Sequence, residues 1–189
     1  FSEECTYSSL ASHIPNTAQK MIAVDYGTTN PCVFLETWDD GKTIWVEREY
    51  RWDSRSEEAQ RSGRSQKTDK EYADDMADFM GIRPEDQCTI IVDPSAASFI
   101  QELRSRGWVV KPADNEVLDG IRKVSTMLVS GRLKVNRRKC KGLCAEMQAY
   151  VWDDKAKDRG EEKPVKQKDH GPDALRYRIN ALPAWRVGV

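Results

Sequence analysis

Short apolar runs alternate with amphipathic stretches along the chain, and their lengths separate strands from helices. Met21 to Asp25 (MIAVD) is an apolar run closed by Tyr26-Gly27, the pattern of a buried strand ending at a turn. Cys32 to Trp38 and Thr43 to Arg51 read as two further strands, and Asp39-Asp40-Gly41 between them supplies the turn chemistry of a tight hairpin. Three strands therefore open the domain as a meander. Tyr72, Met76, Phe79 and Met80 recur at helical spacing, which predicts a helix from Thr68 to Gly81. Cys88 to Val92 predicts a buried strand ending in Asp93-Pro94-Ser95, with Ser95 as the cap of a helix that runs to Gly107. Trp108 to Val110 is apolar again and completes a strand, helix, strand unit. Val117, Leu118, Ile121, Val124, Met127 and Leu128 line one face of a helix closed by Gly131, and Leu143, Met147, Tyr150 and Val151 mark another. The last helix starts near Pro172, a suitable first-turn residue, and runs through Leu175 and Ile179. Strands first in an antiparallel meander and then, as parallel strands, alternating with helices predict an α/β fold around a mixed sheet flanked by helices.

The segments outside this pattern are polar. Residues 1–19 show no period and read as a leader or linker, with one domain over residues 20–189. Trp52 to Lys67 is Arg- and Ser-rich and reads as a mobile loop, and Asp153 to Lys168 as a charged loop able to gate an adjoining site. The chain begins at Phe1 rather than Met, which leads us to expect a piece of a longer polypeptide.

Composition narrows the classes. In 189 residues, 30 Lys plus Arg balance 31 Asp plus Glu, a net charge of −1, so nucleic-acid binding would need local patches rather than a basic field. Apolar runs are far short of the ~20 residues of a membrane helix, and the N-terminal stretch lacks a signal-peptide pattern, so the expectation is an intracellular protein without membrane association. Five cysteines (Cys5, Cys32, Cys88, Cys140, Cys144) without a CxxC pair argue against a disulfide framework or zinc ribbon.

Candidate chemistry gathers at three places. Asp25 and Asp93 each end an apolar strand, where ligand-binding residues of open α/β sheets collect. Each also has a structural alternative as a turn or helix cap. In Asp169 to Tyr177 (DHGPDALRY), the proline places Asp173 in a helix's first turn, and His170 precedes it by three residues. Should these ends converge, three carboxylates and an imidazole would need a cation. Such hard ligands suit two Mg²⁺ or Mn²⁺ ions that activate water for phosphodiester cleavage. Arg132, Lys134, Arg137, Arg138, Lys139 and Lys141 form a basic run with no acid, and Lys166 and Lys168 precede His170; both are candidate DNA contacts, or solvated surface. Trp52 is a candidate for stacking on a base or for half-buried packing.

Three segments in order, Met21 to Gly27 (MIAVDYG), Ile90 to Ala96 (IIVDPSA) and Asp169 to Tyr177, make residues 20–182 resemble the C-terminal nuclease domain of the large terminase subunit of tailed bacteriophages. The resemblance implies an RNase H-like or RuvC-like fold, metal-binding aspartates at Asp25, Asp93 and Asp173, and an accessory histidine at His170. It also implies a two-metal endonuclease that cuts concatemeric double-stranded viral DNA in the host bacterial cytoplasm. Its partners would be an ATPase motor domain, a small terminase subunit and a portal. No GxxxxGK[ST] motor loop occurs in the chain. Asp25 to Asn30 (DYGTTN) also resembles the phosphate loop of actin-type and sugar-kinase ATPases. A DNA-binding assembly module with purely structural carboxylates and a junction resolvase on the same fold are the remaining alternatives.

Overall fold

The computed structural model describes residues 5–8, 14–63, 66–81, 88–151, 164–165 and 167–187. Seven strands form one mixed sheet: β1 (Thr6–Tyr7), β2 (Gln19–Asp25), β3 (Cys32–Asp39), β4 (Ile44–Trp52), β5 (Thr89–Val92), β6 (Val109–Pro112) and β7 (Leu133–Asn136). Their order is β1-β7-β4-β3-β2-β5-β6. The meander β2-β3-β4 is antiparallel, whereas β5, β6, β7 and β1 add in parallel. This is the mixed sheet expected from the sequence pattern, with the hairpin turned at Gly41, whose φ of 89° lies in the left-handed region that glycine tolerates.

Helices α1 (Glu57–Arg61), α2 (Asp69–Met80), α3 (Ala97–Ser105), α4 (Val117–Val129), α5 (Lys141–Ala149), α6 (His170–Asn180) and α7 (Ala184–Val187) complete the fold. Alternation along the strands divides the core between the two faces. Ile22, Val24, Phe34, Ile90 and Val92 pack with Tyr72, Met76, Phe99 and Leu103 of α2 and α3. Val33, Leu35, Val46, Leu133 and Val135 pack with Val124, Met127, Leu143, Leu175 and Ile179 of α4, α5 and α6. The helix expected over Thr68 to Gly81 is bounded as read: Thr68 and Glu71 form a capping box, and Gly81 closes the helix at φ 60°.

Five local readings change, the first being that α5 ends at Ala149, before Tyr150 and Val151. Ser95 does not cap α3; its backbone N–H instead donates to Asp93 Oδ1 at 2.7 Å, a turn that Asp93 organises itself. The polar Trp52 to Lys67 stretch contains α1, started by Ser56, whose side chain accepts from Ala59 N. The basic run at Arg132 to Lys141 hides β7, whose Leu133 and Val135 are fully buried. Within the expected leader, Thr6 and Tyr7 pair with Val135 and Asn136 at the sheet edge.

Candidate metal centre

β2 and β5 are neighbours and parallel, with Val24 opposite Val92, so the residues that follow emerge at the same sheet end. Asp25 is the last residue of β2, and Asp93 is the first after β5. Helix α6 packs against β2, β3 and β5 and delivers His170 and Asp173 to this end in its first turn. All four side chains line one cleft of about 660 Å³, together with Tyr26, Asn30, Arg55, Asn115, Lys168, Arg176 and Tyr177. The three sequence segments thus converge as expected.

The start of α6 is held from behind. Gly171 N–H, one of the helix's free N-terminal donors, gives its hydrogen bond to Glu146 Oε2 of α5 at 2.7 Å. Glu146 is clasped by Arg51 of β4 through two 2.8 Å hydrogen bonds. Arg51 also meets Glu49, which accepts from Leu143 N at 3.0 Å, so one ion triad ties β4 to the starts of α5 and α6. A Cβ at Gly171 would lie 2.8 Å from Glu146 Oε2, which explains the glycine between His170 and Pro172.

Each carboxylate has its own protein donor. His170 Nδ1 pairs with Asp25 Oδ2 at 2.9 Å, Tyr177 OH donates to Asp93 Oδ2 at 2.6 Å, and Arg176 Nη2 donates to Asp173 Oδ1 at 3.0 Å. Burial pushes the Asp25 carboxyl up, and the negative charges of Asp173 and Asp93 add to this against the pull of His170. The hydrogen bond to Asp25 raises His170 above its ordinary value despite burial. Burial alone would raise Asp93 as well, but donors from Tyr177 and Ser95 and the Arg176 charge outweigh it and hold the carboxyl below the usual range.

The donor set of three carboxylates and one imidazole matches a hard divalent cation. Among the described residues no three His, Cys, Asp or Glu side chains stand close enough to share one ion as they are placed. Each carboxylate is instead held by a protein donor from His170, Tyr177 or Arg176. Burial pushes the Cys140 thiol up and away from the thiolate form that ligates metals.

The basic candidates are dispersed. Lys168 lines the cleft, and Lys166, with most of the Asp153 to Lys168 loop, lies outside the described residues. Arg132, Lys134, Arg137, Arg138, Lys139 and Lys141 do not line it. Arg132 donates to the carbonyls of Arg186 and Val187, and Lys139 is bonded to the buried Glu47. Trp52 is half-buried under the Lys67 ammonium, 4.0 Å above its ring, so it packs rather than offering a base platform. Sequence reading did not single out Arg176 and Tyr177 as site residues, although both stand in the DALRY segment; Asn115 carries no local signal.

A family profile described as a terminase RNaseH-like domain matches residues 22–182. Among solved structures, the large terminase of a thermophilic bacteriophage superposes with a TM-score of 0.84 at 39% identity, covering 96% of this chain and 44% of that one. The chain thus spans less than half of that relative's length. The nuclease domain of the P22 large terminase gives a TM-score of 0.72 at 16% identity, covering 94% of this chain and 87% of that one. The large terminase nuclease of thermophilic phage G20c, with bound magnesium, gives 0.64 at 13% identity, covering 89% and 84%. The latter two likenesses are of fold. Comparison with curated protein sequences gives no significant match. The profile takes in the Asp25 to Asn30 turn, which therefore belongs to a nuclease fold and not to the phosphate loop of an actin-type ATPase. The chain belongs to the terminase RNaseH-like domain family.

Proposed function

We propose that this chain is a divalent-metal-dependent DNA endonuclease, the nuclease part of a large terminase subunit that cuts concatemeric double-stranded viral DNA during genome packaging. The observation that carries the reading is the convergence of Asp25, Asp93, Asp173 and His170 from three distant segments on one cleft of a terminase nuclease fold. The magnesium in the G20c domain supports the choice of ion.

Asp25 and Asp93 would hold a first ion or bridge two, and Asp173 with His170 the second. Bound Mg²⁺ or Mn²⁺ supplies a Lewis acid that lowers the pKa of water and stabilises charge on the scissile phosphate. The chain's own groups do the remainder. Tyr177 and Ser95 fix the Asp93 carboxylate, and the Arg51–Glu146 clasp holds the helix start that carries His170 and Asp173. His170, paired with Asp25 through Nδ1 at 2.9 Å, orients that carboxylate. Lys168 and Arg55 line the cleft as phosphate contacts, and the exposed Arg137, Arg138 and Lys141 add contacts along the duplex outside it. An ATPase motor in the longer protein, a small terminase subunit and a portal are the partners this reading assigns, in the cytoplasm of an infected bacterium.

Supercoiled plasmid incubated with Mg²⁺, Mn²⁺ or EDTA tests it. Nicking and linearisation should require metal and fall at least ~100-fold in Asp93→Asn. DNA binding without metal-dependent cutting would turn the reading to a non-catalytic assembly module.

A further inference from the structure

Arg176 lines the cleft with its side chain only 3% exposed. Its Nη2 and Nε meet Asp173 Oδ1 at 3.0 and 3.3 Å, and its remaining donors reach Asn115 Oδ1 and the Glu116 carbonyl at 3.3 Å. The guanidinium also sits 4.7 Å from the centre of the Tyr177 ring, whose hydroxyl holds Asp93. Room for this side chain comes from Gly120 of α4: a Cβ there would lie 2.5 Å from Arg176 Cγ and 2.8 Å from Cδ. Helix packing, a glycine and these acceptor contacts thus fix one permanent positive charge beside the acidic cluster. A guanidinium cannot shed that charge.

We propose that Arg176 is the built-in counter-charge of this site, a positioning residue that holds Asp173 ready and competes with a divalent ion for it. The inference rests on the metal-centre reading above. Without an ion, three neighbouring carboxylates repel one another, and Arg176 neutralises the one on α6. When an ion arrives, it must share the Asp173 carboxylate with Arg176 and accept the repulsion of a charge little screened by water. Arg176 therefore lowers affinity at the Asp173 position while keeping the side chain in place. A purely structural arginine has the opposite signature, because its loss disorders the ligand and weakens metal binding.

Calorimetric titration of Mn²⁺ into the wild type, Arg176→Gln and Arg176→Lys, with thermal melts to confirm folding, separates the two. Arg176→Gln should bind Mn²⁺ roughly tenfold more tightly, and Arg176→Lys, which keeps the charge, should stay near wild type. A Gln variant that binds as the wild type does, or more weakly, overturns the proposal. A second measurement needs no variant: the Arg176 Nε–H resonance of the wild type should shift and exchange faster with water as Mg²⁺ saturates. An unmoved resonance at saturation overturns the proposal even if Arg176→Gln does not fold. A wild type that takes up no Mn²⁺ is a different failure, that of the metal-centre reading itself.

Discussion

Arg178 lies two positions along α6 from Arg176 and is buried for another purpose. Only 1% of its side chain is exposed, and it donates to Thr37 Oγ1 at 3.0 Å and Asp39 Oδ2 at 3.1 Å. Asp39 also holds Arg186 at 2.8 Å, so removing Arg178 takes away the more deeply buried of two guanidinium partners. Arg178→Met should therefore cost about 3 kcal/mol, near the low end for breaking a buried pair, as read from urea unfolding. In the sequence, a helix ending in LRYRIN gives Arg176 and Arg178 the look of surface residues, because charge normally marks the solvent face. Their burial is visible only once β3 and α4 are packed against α6. Asp25 and Asp93 are legible for the opposite reason: a lone carboxylate closing an apolar strand is conspicuous.

At the scale of elements, the start of α6 is where local and distant information meet. Pro172 and the first-turn Asp173 announce a helix, but its first residue is His170, two earlier than the proline suggests. What secures that earlier turn is Glu146, a residue of another helix braced by Arg51 of a strand. Gly171→Ala would press a methyl into Glu146 Oε2 and Arg51 Nη2, at 2.8 and 3.2 Å from its Cβ. Unfolding free energy should fall by about 1–3 kcal/mol, and plasmid nicking should drop more than that loss alone explains, since His170 and Asp173 move with the turn. The same helix in the Arg51→Met variant should show both effects. Strand β7 was unreadable for a related reason. Its alternation of Leu133 and Val135 with polar residues spans only four positions inside a basic run, too few to outweigh the charge around them.

For the whole molecule, charge placement sets the response to acid. Burial alone would raise the Glu36 carboxyl, but hydrogen bonds from Arg48 and Trp38 and the charges of Lys20 and Arg48 hold it below its ordinary 4.5. Burial is likewise outweighed at Asp39 by Arg186, the Gly41 amide and the Arg178 charge, which hold it below 3.8. A carboxylate depressed in the folded state stabilises the fold above its unfolded pKa and loses that contribution as pH falls through the folded one. Melting temperatures should thus decline from about pH 4.5 downward, and Glu36→Gln should show a shallower decline over that interval as well as a lower plateau at neutral pH. An unchanged slope in that variant would show that Glu36 is not among the groups that titrate on unfolding.

By itself the sequence determined the alternation of strands and helices, the meander, the capped helix from Thr68 to Gly81, and the carboxylates that end β2 and β5. These follow from local rules, since side-chain period, turn chemistry and caps act over a few residues. Tertiary structure alone decided that β5 lies directly beside β2, so that Asp25 and Asp93 share one end of the sheet. It also decided that α6 crosses behind them, and that Glu146, Arg51, Arg176 and Gly120 fix its side chains in place. The basic run, prominent in sequence, does not line the cleft, and Arg132 and Lys139 within it are bound to the protein itself. Sequence spacing records which charges exist; only the packed chain sets which of them face one another across a low-dielectric interior, where their energies become large enough to matter.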